Sequence, residues 1–369
     1  MKNFNVVYFN CFIILSILIG VSVFSRVTFN GSLYNFDFGL YQPDGAHYTF
    51  RTLTFLGLTD IEAATRVIDW YNLYSVDTRH LTVENLVPNS NPLWGLSLPR
   101  FVYPALSMLP VLLFDIPGML VVPIASLIVV IFVIQHLAVQ ASKPVLGLFM
   151  CFVLLASPTF MRWMIANCTD SLLTGFFAAY LFIYTKNLTR LQLGIFKVVL
   201  IISTSFTRFC LPLWIAIFLA EFVISKKKME SALWVLLSFV AALPAIIMQP
   251  GGNSAFLPEK NGSDFFEKII FLPISFAKIA FIEIAELGAL DRMLLLMLAL
   301  AAFVAIKHWG SVQSIFFFSV LFSVWTLGAI NGVLGVNFRY QMPLIPFLAW
   351  VIFKGFPEIS ITKFSREQK

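Results

Sequence analysis

The amino-acid sequence predicts an all-α polytopic membrane protein of roughly ten transmembrane helices, with interfacial helices in a long first outer loop. Three observations carry that expectation. Of the 369 residues, 59% are hydrophobic and only 12% charged, about half the charge of an ordinary soluble domain. Apolar runs recur along the chain at the length of about 20 residues that a helix needs to cross a bilayer. Lysines and arginines flank those runs, and one choice of spans puts most of them on one side. The net charge of +6 is therefore read as topology anchoring, with no nucleic-acid partner. Cys11, Cys151, Cys168 and Cys210 lie in or beside apolar runs without paired spacing, so neither a disulfide framework nor a zinc site is expected.

The chain opens with "MKNFNVVYFNCFIILSILIGVSVFSRV", one lysine followed by roughly 20 apolar residues, longer than a secretory apolar region. "VFS" is a poor cleavage site, so residues 5–25 read as an uncleaved signal anchor. In the loop 26–100, "DGAHYTFRTLTFL" and "TDIEAATRVIDWYN" read as two amphipathic helices lying along the interface, too short to span. Asp44 and Thr59 are the expected N-caps, and Gly57 stops the first helix. In the core 101–354 the expected spans are 116–139, 144–160, 168–186, 192–206, 209–224, 231–248, 291–306, 312–330 and 338–354.

Two segments are ambiguous by length, 101–114 and 191–224, and the positive-inside rule decides both. If 101–114 only dips into the outer leaflet and 191–224 crosses twice, then Lys143, Lys186, Arg190, Lys226, Lys227, Lys228 and Lys307 join Lys2 and the tail 355–369 on the cytoplasmic side. The loop near 249–265 and the turn "NGVLGVNFRY" then face outward, and the amphipathic stretch 265–287 lies on the surface. No internal repeat or low-complexity linker divides the chain, which reads as a single membrane domain over 1–369.

The outer-side charges are the candidates for chemistry. Asp44, in a Pro-Asp-Gly turn, has an ordinary role as a helix cap. It is also a carboxylate at the membrane–water boundary, where partial burial would raise its pKa towards the range useful to a general base. Asp37 is a second acid on the preceding stretch, and His47 stands one turn beyond Asp44. Arg100 either anchors to headgroups or grips a phosphate with two parallel hydrogen bonds. Arg162 and Asp170 sit near the outer ends of successive spans, where an unpaired carboxylate is costly; Asp170 caps its helix, pairs with Arg162 or meets a substrate hydroxyl. Arg208 falls in a turn between two short spans, at a depth that demands a wet cavity or an anionic partner. Arg339, followed by Tyr340, breaks the positive-inside trend and reads either as a plain interfacial Arg–Tyr pair or as the mark of a local anion. Motifs for nucleotide binding, for transition metals and for a serine-hydrolase elbow are absent.

This pattern resembles the GT-C superfamily of integral membrane glycosyltransferases, which move a sugar from a polyprenyl-phosphate carrier to an acceptor on the outer face. The likeness lies in a first span followed by an outer loop with an early acid and two interfacial helices (37–75). It continues in "PRFVYPALS" (99–107), "SPTF" and "TDSLL" (157–173), "FTRFCLPLW" (206–214) and "FRYQMPLIPF" (338–347). The resemblance implies Asp44, with Asp37 as the other acid, as the catalytic carboxylate. It implies Arg100, Arg208 and Arg339 as carrier-phosphate ligands, with Tyr340, Asp170, His47 and Arg162 around the substrates. The implied partners are a polyprenyl-phosphate-linked sugar, a glycan, lipid or protein acceptor, and membrane lipids of a bacterial plasma membrane; a divalent cation (Mg or Mn) is a possible assistant. Many members carry adjacent acids in that loop and a soluble C-terminal domain, whereas here Asp37 and Asp44 are separated and the chain ends in a short basic tail. The rival readings are an O-antigen-type polysaccharide polymerase or ligase, which uses the same carriers, and a transporter or flippase of lipid-linked sugars. One-sided clustering of the polar residues, with no repeat, weighs against transport.

Overall fold

The computed structural model describes residues 2–29, 41, 43–74, 81–87, 100–186, 188–224, 228–247, 265–331 and 338–356, which are helical with short connections and contain no strand. Asp37 lies outside the described residues, as do Lys226, Lys227 and nearly all of the loop near 249–265. The helices are α1 (Lys2–Phe29), α2 (Pro43–Phe55), α3 (Asp60–Tyr74), α4 (Val83–Leu86), α5 (Val102–Phe114), α6 (Val121–Gln140), α7 (Pro144–Ala156) and α8 (Pro158–Ile165). They continue with α9 (Thr169–Tyr184), α10 (Arg190–Ser205), α11 (Leu211–Ile224), α12 (Lys228–Ile247), α13 (Phe265–Leu290), α14 (Arg292–Lys307), α15 (Val312–Asn331) and α16 (Ile345–Gly355).

Among the described residues, three helical stretches are long and apolar enough to cross a membrane: Val7–Ser25, Ile116–Gln140 and Val312–Ala329. The pair α7 and α8, bent by 77° at its break, meets the same length and hydropathy only when the two are taken together, as a broken span or a re-entrant loop. The bend has a local cause. Pro158 forces Ser157 into an extended conformation, and the Ser157 hydroxyl then caps α8 by accepting the Phe160 N–H at 3.0 Å. Asp291, at the N-cap of α14, accepts from the Ser157 hydroxyl and from the Thr159 N–H, so one buried carboxylate ties two helix starts together. The stretch 144–160, expected as one span, is divided between α7 and the start of α8. The apolar helices α5, α9 and α11 have 13, 16 and 14 residues, about 20–24 Å of rise against a hydrocarbon core of about 30 Å.

The α2–α3 pair forms as its local signals dictate. Thr59 and Glu62 build a reciprocal cap at the start of α3, each side chain taking the other's backbone N–H. The segment 191–224 divides into α10 and α11 at a turn over 206–210. One expectation is corrected: Asp44 is not the N-cap of α2 but its second residue, because Pro43 suits the first helical position. The stretch 265–287 forms most of α13, which packs on α15 with Phe276 stacked on Phe322 at 5.9 Å and edge-on to Trp325 at 5.8 Å.

The core is one continuous apolar cluster around α6, α9, α15 and α16. The α6–α9 seam is close because Gly175 faces Ser126, where a Cβ would come within 3.2 Å. At one end of the bundle the buried Lys143 ammonium donates to the Phe353 carbonyl and closes the C-terminus of α16. Deeper in, Lys197 of α10 donates to both oxygens of Glu221 of α11 at 2.7 Å, and the Tyr180 hydroxyl donates to the same carboxylate at 2.6 Å. Composition arguments pass over this pair, which is a structural device: replacing one partner strands the other in an apolar interior. Lys197→Met is expected to lower stability by about 3–5 kcal/mol, read by unfolding in detergent, and Lys197→Met/Glu221→Gln to recover most of the loss.

Candidate functional site

At the opposite end of the bundle, four segments far apart in sequence converge. α9 begins with Thr169 and Asp170, so Asp170 sits where the helix dipole favours an anion. Asp170 is 2% exposed, and both of its oxygens are taken: Oδ1 by Nη1 of Arg208, from the turn between α10 and α11, and Oδ2 by Nε of Arg339 at 2.8 Å. Arg339 then reaches outward, its Nη2 lying 2.8 Å from Oδ2 of Asp44 in the first turn of α2. Asp44 is half exposed, unlike Asp170. The ring of Tyr340 lies 4.3 Å from the Arg208 guanidinium carbon, and the ring of Trp163 lies 5.0 Å from that of Arg339. Arg100, just before α5, donates from Nη1 to the Tyr48 hydroxyl of α2 at 3.0 Å and forms no salt bridge among the described residues.

A second network fixes α2 against the start of α9. Asn167 is fully buried and donates from Nδ2 to the hydroxyls of Tyr71 at 2.7 Å and Thr49 at 3.0 Å; its Oδ1 accepts from the Tyr103 hydroxyl at 2.7 Å. Gly45 makes this docking possible, since any Cβ there would come within 2.2 Å of the Asn167 carbonyl oxygen. Asp44 is therefore presented by a rigid seat.

The electrostatics correct one expectation. Burial does not lift Asp44 into the range of a ready base: the Arg339 guanidinium beside it holds its pKa down at about 2, with Arg100 and Arg208 adding to the effect against a smaller opposing push from desolvation. His47 moves downward as well, because burial disfavours the imidazolium and Arg100 adds to that against an opposing pull from the Asp44 carboxylate. The net shift favours the neutral ring near pH 7, and its Nδ1 is buried without a hydrogen-bond partner among the described residues.

Of the residues singled out from sequence, the structure brings together Asp44, Asp170, Arg208, Arg339 and Tyr340, with Arg100 and His47 beside Asp44. Arg162 is buried, its guanidinium 4.8 Å from the Trp163 ring, while the Asp170 oxygens expected to meet it are held by Arg208 and Arg339. Sequence reasoning passed over Asn167, Tyr48 and Trp163, which carry no charge and lie in apolar or turn-like strings. Among the described residues no group of three His, Cys, Asp or Glu side chains could hold a metal ion, and both acids of the cluster are already turned onto guanidiniums. As placed, Asp44 and Asp170 alone do not make a donor set that fits a divalent cation. An open cleft of about 830 Å³ runs along α3, lined by Ile61, Glu62, Arg66, Asp69, Trp70 and Asp115, but none of the clustered arginines lines it.

What the cluster can do follows from its charges. Three guanidiniums face two carboxylates, so an anion with several oxygens has donors to bind, and the exposed member of the ion-pair chain is the one it displaces most easily. Comparison with protein-family models, with curated proteins and with solved structures finds no match to this chain.

Proposed function

We propose that the chain is a membrane glycosyltransferase that moves a sugar from a polyprenyl-phosphate carrier to a hydroxyl of a glycan, lipid or protein acceptor. The observation that supports this reading is the meeting of Asp44, half exposed on an interfacial helix, with guanidiniums from three distant segments at one end of an apolar bundle. Such a cluster suits a substrate with a lipid tail, a phosphate and a polar head. On this reading the chain crosses the membrane about ten times with both termini inside, and the cluster faces outward from a bacterial plasma membrane.

The mechanism is a single displacement. The carrier phosphate takes donors from Arg100 and from Arg339, whose Nη2 leaves Asp44. Arg339 stays anchored through Nε to the buried Asp170, and Arg208 reinforces that anchor. Released from its ion pair, Asp44 becomes more basic and accepts the proton of the acceptor hydroxyl. That oxygen bonds to the anomeric carbon as the bond from the anomeric carbon to the phosphate oxygen breaks, and the guanidiniums hold the charge that develops on the departing carrier phosphate. Phosphate binding and base activation are coupled through one side chain, which keeps the base silent until the donor has arrived.

The test is to incubate the purified full chain in lipid with a panel of polyprenyl-phosphate sugars and candidate acceptors. Acceptor-dependent release of free polyprenyl phosphate is the expected result. Movement of the lipid-linked sugar across the bilayer with no release would turn the reading into transport, and release of a polyprenyl pyrophosphate from an oligosaccharide carrier would turn it into a polymerase or ligase.

A further inference from the structure

We propose that Glu283 is the positioning residue for Arg339: its buried carboxylate holds the backbone of the turn that delivers the guanidinium between Asp44 and Asp170. Only the consequence for transfer rests on the glycosyltransferase reading; the positioning itself stands on the geometry. Glu283 is 2% exposed on α13 and accepts the backbone N–H of Phe338 at 2.5 Å, across 55 residues of sequence. Phe338 has φ +62°, in the left-handed region that bulky residues rarely adopt, and its side chain is 1% exposed. The turn closes with the Gln341 N–H on the Phe338 carbonyl at 3.3 Å and runs into the short 3-10 turn Met342–Leu344, which starts α16. Arg339 and Tyr340 are thus suspended between two fixed points. One is the helical start of α16, and the other is the Glu283 hydrogen bond.

A purely structural role explains this acid poorly. A carboxylate taken out of water needs polar partners, and an apolar side chain of the same volume packs with less penalty. α15, packed along α13, carries no titratable residue, and the next charged group on α13 is another acid, Glu286. What the carboxylate does secure is a strained backbone immediately before Arg339. Among the described residues, Arg339 in turn is the one side chain that forms ion pairs with both acids of the cluster.

The experiment is phenylglyoxal labelling of the full-length protein in detergent, read at Arg339 by peptide mass spectrometry, with the exposed Arg190 as internal reference. In the wild type the ion pairs shield Arg339. Glu283→Ala and Glu283→Asp, the latter one methylene too short to reach the N–H, are expected to speed labelling about fivefold, the equilibrium worth of one hydrogen bond. Glu283→Gln keeps an acceptor oxygen in place and is expected to stay within about twofold of wild type. Wild-type labelling in folded Glu283→Asp overturns the proposal, as does labelling of Glu283→Gln as fast as that of Glu283→Asp, which would mean that charge or packing and not the hydrogen bond matters. If Glu283→Ala does not fold, the Asp and Gln variants decide. Labelling decides the positioning role even if no sugar transfer is found; where transfer is found, Glu283→Asp should raise KM for the carrier more than it lowers kcat, and Glu283→Gln should not.

Discussion

If the chain is the glycosyltransferase proposed above, replacing Asp44 with Asn is expected to cut sugar transfer by about 100- to 10,000-fold, the range supplied by a well-placed general base, while the protein still folds and still binds the carrier. Asn keeps the size of the side chain and an oxygen to face Arg339, so the seat made by Gly45, Asn167 and Tyr71 is undisturbed. The Asp44 side of the pair is half exposed, so water can replace its carboxylate, and ion pairs open to solvent contribute only about 0–1 kcal/mol. Carrier binding should hold or tighten, since a neutral amide competes less well than a carboxylate for Nη2 of Arg339. His47 is the control: it is neutral near pH 7 and one helical turn away, so His47→Gln must leave most of the activity if Asp44 is the base. Transfer by Asp44→Asn within tenfold of wild type would hand the role to another group.

The same residue predicts an acid dependence with a definite sign. Asp44 titrates at about 2 in the folded chain, against about 3.9 for a free aspartate. A carboxylate whose pKa is lowered on folding stabilises the folded state above its unfolded pKa, and that contribution is lost as the pH falls from about 4 through about 2. Asp44→Asn should lack this component of acid unfolding. Between pH 5 and 8 the contribution is constant, so any change of stability in that window belongs to other groups.

Much of this arrangement was legible in residues that broke a rule. On the expected topology Arg208 falls in a turn that calls for a wet cavity or an anionic partner, and Arg339 breaks the positive-inside trend; the structure pairs both with Asp170. α2 and α3 were legible because their signals are local: a Pro-Asp-Gly start, a Gly57 stop and a Thr59 cap act within one or two turns. The identity of the anion was not legible. Asp170 lies 38 residues from one partner and 169 from the other, and pairing across such separations is decided by helix packing that hydropathy does not encode. The bend at Pro158 was missed for a related reason: apolar runs reveal how much chain can sit in lipid but not where Ser157 and Asp291 will break it. Glu283 was invisible because one acid among several in an amphipathic helix reads as part of a solvated face, whereas the structure puts it on a backbone N–H.

Asp170→Asn is expected to damage the fold itself, by about 3–5 kcal/mol, the penalty for leaving buried charges without their counter-ion. Asp170 is 2% exposed, and its two guanidinium partners are only 7% and 14% exposed, so water cannot replace it. Against a total stability of about 5–15 kcal/mol this is a large share, and thermal or denaturant unfolding in detergent reads it directly. The double variant Asp170→Asn/Arg208→Gln removes one stranded cation and should be more stable than the single, because Arg339 keeps Asp44 as a partner. An Asp170→Asn protein within about 1 kcal/mol of wild type would mean that water enters the cluster freely, and the low exposure of the pair would then not measure its isolation. The two aspartates touch the same arginine and are predicted to fail in opposite ways. Asp44→Asn loses chemistry and keeps the scaffold, because its pair can be exchanged for solvent or substrate. Asp170→Asn loses the scaffold, because its pairs cannot. That division of labour is what lets one guanidinium be anchored on one side and available on the other.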